Sequence, residues 1–259
     1  MRADWIVPGW PAPASVHAVC TTRHGGVSSA PYGSLNLGDH VGDDAAAVAR
    51  NRAVLRQEIG AHPVFLQQVH GSSVVRLAAT TADGTQADGC VSTEPALACT
   101  IMVADCLPVL FTDSAGTAVA AAHAGWRGLA GTGGTGVLET VSHALWDALQ
   151  LPRPEAAGKT IAWLGPCIGP TAFEVGDEVR QAFVAQDPQA AAMFRRHSQD
   201  KWLSDLQGLA RLRLAALGID QVHGNDGSPE WCTVGNSSRF FSHRRDRVSG
   251  RFAACVWLG

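Results

Sequence analysis

Three residues of this 259-residue chain could together hold a metal ion. His70 sits in Gln67-Gln68-Val69-His70-Gly71, Cys106 in Ala104-Asp105-Cys106-Leu107-Pro108, and His123 in His123-Ala124-Gly125-Trp126-Arg127-Gly128. Two imidazoles and a thiolate fill three positions of a zinc ion and leave the fourth open, the pattern of a catalytic site rather than a structural one. A metal with an open position suits hydrolysis or the polarisation of a heteroaromatic ring. Asp105, beside the thiol, could orient a ligand or act as general base. Spacing alone does not decide the matter. The three residues are far apart in sequence, and a histidine taken singly is more often a core or surface residue than a ligand. Without a metal, Cys106 and His123 would make a nucleophile and its base.

The surrounding segments supply the platform. Cys106 and His123 both fall where apolar runs end, and strand ends are rigid positions from which side chains point into a cleft. Strands are expected at Val16 to Thr21, Leu97 to Val103, Pro108 to Thr112, Thr117 to Ala122, Ile161 to Leu164 and Phe252 to Leu258. Val64 to Val69 and Ser73 to Leu77 read as a strand pair joined at His70-Gly71-Ser72. Asp43-Asp44 can cap a helix that runs to Ile59 and stops at Gly60. Further helices are expected over Val137 to Leu149, Asp177 to Gln186 and Leu206 to Leu217, with Leu151-Pro152-Arg153-Pro154 as a break. No linker divides the chain, so residues 1–259 are expected to form one domain of mixed sheets with flanking helices.

Composition narrows the function class. An apolar fraction of 46% with 17% charged residues is ordinary for a soluble globular enzyme. A formal net charge of -3 gives no reason to expect nucleic acid as partner. The N-terminal residues lack the apolar run of a signal peptide, and no stretch approaches the roughly 20 apolar residues of a membrane span. The seven cysteines are odd in number and contain no CxxC pair. These features favour a reducing, cytoplasmic setting, with a size compatible with a monomer.

Taken together, the local motifs resemble the YfiH-like, laccase-domain family, also labelled polyphenol oxidoreductase. The resemblance runs along the chain through Gly25-Gly26-Val27-Ser28, Ser34-Leu35-Asn36-Leu37-Gly38, Gln68-Val69-His70-Gly71 and Ala87-Asp88-Gly89. It continues through Ala104-Asp105-Cys106-Leu107-Pro108-Val109, Phe173-Glu174-Val175-Gly176 and Phe240-Phe241-Ser242-His243-Arg244-Arg245-Asp246. Its most specific segment is His123-Ala124-Gly125-Trp126-Arg127-Gly128. The resemblance implies an α+β domain with mixed sheets layered between helices (α/β/β/α), similar to the toxin cytotoxic necrotizing factor. It implies zinc on His70, Cys106 and His123, with copper reported for some relatives. One departure is the glycine run at Gly131, Gly133, Gly134 and Gly136, which predicts a late or frayed helix start after the Trp-Arg-Gly motif.

The same resemblance implies phosphorolysis of adenosine, inosine and methylthioadenosine, together with adenosine deamination. Nucleobase deaminases use related His/Cys zinc sites with a proton-carrying glutamate. Their H-x-E and P-C-x-x-C motifs are missing here, so Asp105 or Glu174 would carry the proton. Phosphorolysis needs an anion pocket. Arg127, four residues after His123, can reach the same cleft, and Arg244 follows the Phe240-Phe241-Ser242 run. A planar guanidinium suits bidentate phosphate binding. Phe240 could stack on a purine, and Asn36 could bond ribose or base edges. Arg247 and Arg251 read as a solvated basic turn. Family members also imply an alternative: amide hydrolysis that edits a wrongly built cell-wall precursor, UDP-MurNAc-L-Ser. The resemblance to the toxin deamidase also supports a metal-free Cys106–His123 hydrolase. Multicopper laccases need His-x-His pairs, and the 10 histidines here form none, so copper-linked phenol oxidation is expected to be incidental. Gly131-Thr132-Gly133-Gly134-Thr135-Gly136 matches G-x-G-x-x-G only formally. It lacks the preceding strand and the acidic partner of a dinucleotide site.

Overall fold

Side chains alternate along the apolar strands, and the alternation sorts them onto two faces. In β5 (Leu97–Val103), Leu97, Cys99, Ile101 and Val103 enter one apolar cluster, while Ala98 and Met102 enter another. β13 (Phe252–Leu258) divides in the same way, with Phe252, Ala254, Val256 and Leu258 on the first face. Both faces of these strands are therefore covered. This is why they read as unbroken apolar runs rather than as alternating apolar and polar residues.

The computed structural model describes residues 2–259. β5 and β13 are the middle of a four-stranded sheet in the order β1 (Val16–Cys20), β13, β5, β2 (His62–Phe65). A six-stranded sheet runs β12 (Gln221–Gly224), β8 (Thr160–Leu164), β6 (Leu107–Asp113), β7 (Val119–Ala124), β4 (Gly89–Ser92), β3 (Val74–Arg76). The two sheets bury a shared layer that includes Ile101, Leu110, Ala121, Phe252 and Val256.

Helices close the outer faces. α1 (Ala45–Ile59) starts at Asp44, whose carboxylate accepts from the Ala47 N–H at 2.7 Å, and ends at Gly60 in the left-handed region. Its Leu55 and Ile59 pack on the four-stranded sheet beside Phe65 and Met102. α3 (Val137–Leu149) and α6 (Leu206–Ala216) cover the six-stranded sheet through Val141, Leu145, Leu209 and Leu214. The fold is thus a mixed α+β domain with helix, sheet, sheet and helix layers. No helix among the described residues is long and apolar enough to cross a membrane.

Several elements differ from the expectation. β2 and β3 are not partners. β2 pairs with β5 and β3 with β4, both in parallel, so they belong to different sheets. The segment that looked like a hairpin turn at His70 is instead a crossing from one sheet to the other. α2 (Trp126–Ala130) begins at once after Gly125, and the glycine run separates it from α3. The Pro152–Pro154 stretch, read as a break, opens α4 (Arg153–Lys159), because proline is tolerated where the first helical N–H groups lack partners anyway. A small sheet of β9 (Glu174–Gly176), β11 (Lys201–Ser204) and β10 (Phe194–Ser198) follows. α5 (Asp177–Val184) lies between β9 and β10, and α7 (His243–Asp246) is a single turn before β13.

Candidate active site

β6 and β7 are antiparallel neighbours, and Pro108 faces His123 across the ladder. Leu110 and Ala121 point from these strands into the layer between the sheets. By the two-residue period, Cys106 and His123 point to that same side, at the end of the sheet. The crossing segment delivers His70 to the same end. It is fastened by Gln68, whose amide donates to the Met102 carbonyl and accepts from the Met102 N–H, each at 2.8 Å, so that it acts as a strand extension on β5.

The candidate ligand atoms of His70, Cys106 and His123 lie within 4.8 Å of one another. The two imidazole rings meet edge to face, with centroids 4.8 Å apart and planes at 68°. His70 has a φ of 61°, unusual for a residue other than glycine and common where a site is held by its surroundings. The holder is Asp88. Its fully buried carboxylate accepts from the N–H groups of Val69 at 3.2 Å, His70 at 2.8 Å and Gly71 at 2.7 Å. It also binds His123 Nδ1 at 2.8 Å, which leaves Nε2 as the nitrogen free to ligate. A nitrogen–nitrogen–sulfur donor set with an oriented tautomer and a carboxylate behind it fits a zinc ion with one open position.

The charges agree with this arrangement. Burial pushes the Cys106 thiol up, but His123 and His70 together outweigh it and bring it down to about 6. Burial pushes His123 down, yet the Cys106 sulfur and Asp88 raise it to about 9. For Asp88, burial is likewise outweighed, by the His123 and Gly71 hydrogen bonds, and its carboxyl is held below the usual range. At neutral pH the metal-free site is therefore a thiolate–imidazolium pair backed by a carboxylate.

Gly125 keeps the chain between β7 and α2 out of this cluster. A β-carbon built there would lie 2.9 Å from His70 Cδ2 and 3.0 Å from Cys106 Sγ. Its φ of -68° is open to alanine, so a Gly125→Ala change acts through that contact alone. Overpacking of about 1–3 kcal/mol is expected, appearing as roughly 5–150-fold weaker binding of a metal ion such as zinc in a chelator competition. Unchanged metal affinity would mean that the cluster is looser than these distances indicate.

A cavity of about 430 Å³ opens on the triad. Arg127, Arg244, Arg247 and Arg251 line it, and among the described residues Asp105 is its only carboxylate. Arg127 lies 4.4 Å over the Trp126 ring, and Arg244 lies 5.6 Å over Phe173. A guanidinium stacked by its face keeps its in-plane donors for other partners. Arg247 and Arg251, read from sequence as a solvated turn, thus line the site. Arg245 does not. It bonds Asp246 and the carbonyls of Thr233, Val234 and Phe240.

The remaining sequence candidates lie elsewhere. Phe240 is fully buried between the sheets against Phe252, so it is a core residue rather than a purine platform. Asn36 is also fully buried, and its side chain bonds Gly38, Asp43 and the Arg251 N–H without lining the cavity. The Glu174 side chain is turned outward to His197 at 3.4 Å and stays off the cavity wall. Asp105 borders the cavity, but its oxygens accept from Thr233 Oγ1 and the Arg244 N–H, each at 2.6 Å. Sequence reasoning missed Asp88, Gln68, Trp126 and Phe173 as site residues. Their only signal was a place inside the quoted motifs.

Comparison with known proteins agrees with this picture. A Pseudomonas aeruginosa protein named purine nucleoside phosphorylase is 50% identical over 255 residues, covering 98% of each chain. The Escherichia coli protein named purine nucleoside phosphorylase YfiH is 48% identical over 255 residues, again 98% of each. Among solved structures, a Neisseria meningitidis protein superposes with a TM-score of 0.89 at 46% identity, over 98% of this chain and 99% of that one. YlmD from Geobacillus stearothermophilus gives a TM-score of 0.86 at 31% identity, over 100% and 97%. The family model described as multi-copper polyphenol oxidoreductase laccase matches residues 17–259, and the chain belongs to that family.

Proposed function

We propose that this chain is a zinc-dependent purine nucleoside phosphorylase acting on adenosine, inosine and methylthioadenosine, with adenosine deamination as a second activity. The observation that carries the reading is one cavity with the His70–Cys106–His123 cluster on its wall and four arginines around it. Asp105, its lone carboxylate among the described residues, already holds two hydrogen bonds. Such a cavity attracts a small oxyanion, and phosphate is the second substrate of phosphorolysis. The names of the relatives support the same reaction class.

In phosphorolysis a phosphate oxygen bonds to ribose C1′ while the C1′–N9 bond breaks and its electron pair leaves with the base, which takes up a proton. Arg127 and Arg244 are the residues we assign to phosphate, because each is braced on a ring and offers free donors. Trp126 and Phe173 supply apolar surface for the purine. His70, Cys106 and His123 would hold the zinc, which when bound supplies Lewis acidity at its open position. Asp88 keeps His123 and the His70 segment in place.

The test is phosphate-dependent release of hypoxanthine from inosine by the zinc-loaded protein, with ammonia release from adenosine measured separately. Arg127→Ala should raise the phosphate KM about tenfold or more and leave zinc content unchanged, as expected when a charge-assisted bond is lost. Zinc loss in that variant would make Arg127 a scaffold residue. No hypoxanthine at any phosphate concentration would remove the phosphorylase reading.

One observation favours a second reading, a metal-free cysteine hydrolase: the Cys106 thiol is brought to about 6 beside His123. Its substrate would be an amide such as that of the cell-wall precursor. Activity that survives chelation and dies on thiol alkylation would establish it.

A further inference from the structure

From its place beside Cys106, Asp105 is the natural candidate for a proton carrier, but its surroundings give it another task. Its Oδ1 accepts from Thr233 Oγ1 and its Oδ2 from the Arg244 backbone N–H, both at 2.6 Å. Its own carbonyl accepts from the Ile168 N–H at 2.9 Å. It is buried, with a φ of 94°, a conformation that aspartate tolerates better than most residues. Three other chain segments therefore meet on the residue that precedes a zinc-ligand candidate.

Arg244 is the first of these partners that matters to the substrate. Its guanidinium lies over Phe173 and donates through Nη1 to the Glu174 carbonyl at 3.0 Å, while its backbone is fixed by Asp105. We infer that Asp105 is a positioning residue: it clasps the start of α7 to the Cys106 loop, so that Arg244 presents its remaining donors to phosphate at a fixed place beside the triad. This rests on the phosphate-binding role assigned to Arg244 under the proposed function. It replaces proton transfer by Asp105 with anion placement.

The experiment compares wild type, Asp105→Asn and Thr233→Val in inosine phosphorolysis, alongside zinc content and calorimetric titration with inorganic phosphate. Asparagine carries no charge, so its oxygen can hold the Arg244 N–H only by a neutral bond, while Thr233 Oγ1 turns to accept from its amide. Asp105→Asn should therefore raise the phosphate KM and dissociation constant about tenfold, the scale of one charge-assisted hydrogen bond. Its kcat should stay within about twofold, its zinc content should be unchanged, and its acid limb in the kcat–pH profile should remain. Thr233→Val keeps the volume and the Arg244 anchor but removes the second one, so a smaller rise of about threefold is expected. A kcat loss of about a hundredfold, with the acid limb gone and phosphate binding intact, would make Asp105 a proton carrier and overturn the inference. Unaltered phosphate binding in both variants would overturn it as well. If wild type shows no phosphate-dependent turnover, the phosphorylase reading fails separately, and the calorimetric comparison still decides the clasp. Should Asp105→Asn not fold, Thr233→Val alone decides it.

Discussion

Asp88→Ala is expected to weaken zinc binding by about 10–100-fold, although Asp88 is not itself a ligand. The carboxylate serves two candidate ligands at once. It selects the His123 tautomer through Nδ1 and gathers three consecutive N–H groups around His70. Truncation leaves those donors buried without a partner and removes the charge that His123 faces. The metal-free protein should also lose about 3–5 kcal/mol of stability, the range for a broken buried pair. Asp88→Asn separates the two effects. Its side-chain oxygen can still accept from His123, so zinc binding should fall less than in the alanine variant. Its amide nitrogen cannot accept from the Val69 and Gly71 N–H groups, so the stability loss should persist in part. Chelator competition and denaturant titration of the metal-free forms measure the two quantities. Zinc affinity equal to wild type in Asp88→Ala would show that the ligands hold their places without it.

The difference between Asp88 and the three candidate ligands also shows what the sequence made legible. His70, Cys106 and His123 stand in motifs with distinctive neighbours, and their residue types state their chemistry. Asp88 stands in Ala-Asp-Gly, 18 residues from His70 and 35 from His123, and nothing local says that its carboxylate is buried under both. The strand that carries His123 and the one that begins just after Cys106 were visible because their runs are apolar on both faces. The layered arrangement was reached through family resemblance and then realised by the alternation of β5 and β13. What failed was tertiary placement. Phe240 and Asn36 were assigned to substrate because aromatic rings and amides can bind purines, but their burial is set by neighbours distant in sequence, Phe252 and Arg251. The β2–β3 pairing failed for a related reason. A glycine between two short apolar runs looks the same whether the chain turns back or crosses to another sheet. β10 escaped notice because four of its five residues are exposed, so no apolar pattern marks it.

The strongest test of the whole site is His123→Ala. Four protein ligands contribute roughly 10–16 kcal/mol in structural zinc sites, or about 2.5–4 kcal/mol each, so loss of one of three should lower affinity by about a hundredfold. Zinc content and phosphorolysis should disappear together, and added zinc should restore neither at ordinary concentrations. Proton counting makes the result specific to this geometry. His123 is raised to about 9 and so carries a proton at neutral pH, while Cys106, lowered to about 6, has already lost its own. Zinc added to the metal-free wild type near pH 7.5 must therefore displace about one proton, taken from His123. Below pH 6 Cys106 is protonated too, so the count should rise and zinc affinity should fall. Above pH 9 the His123 proton is gone and this contribution vanishes. Calorimetry in buffers of different ionisation enthalpy reads the count directly. A wild-type protein that binds zinc near pH 7.5 with no proton release would show that His123 is already neutral, and the thiolate–imidazolium pair could not then be the resting state of the site.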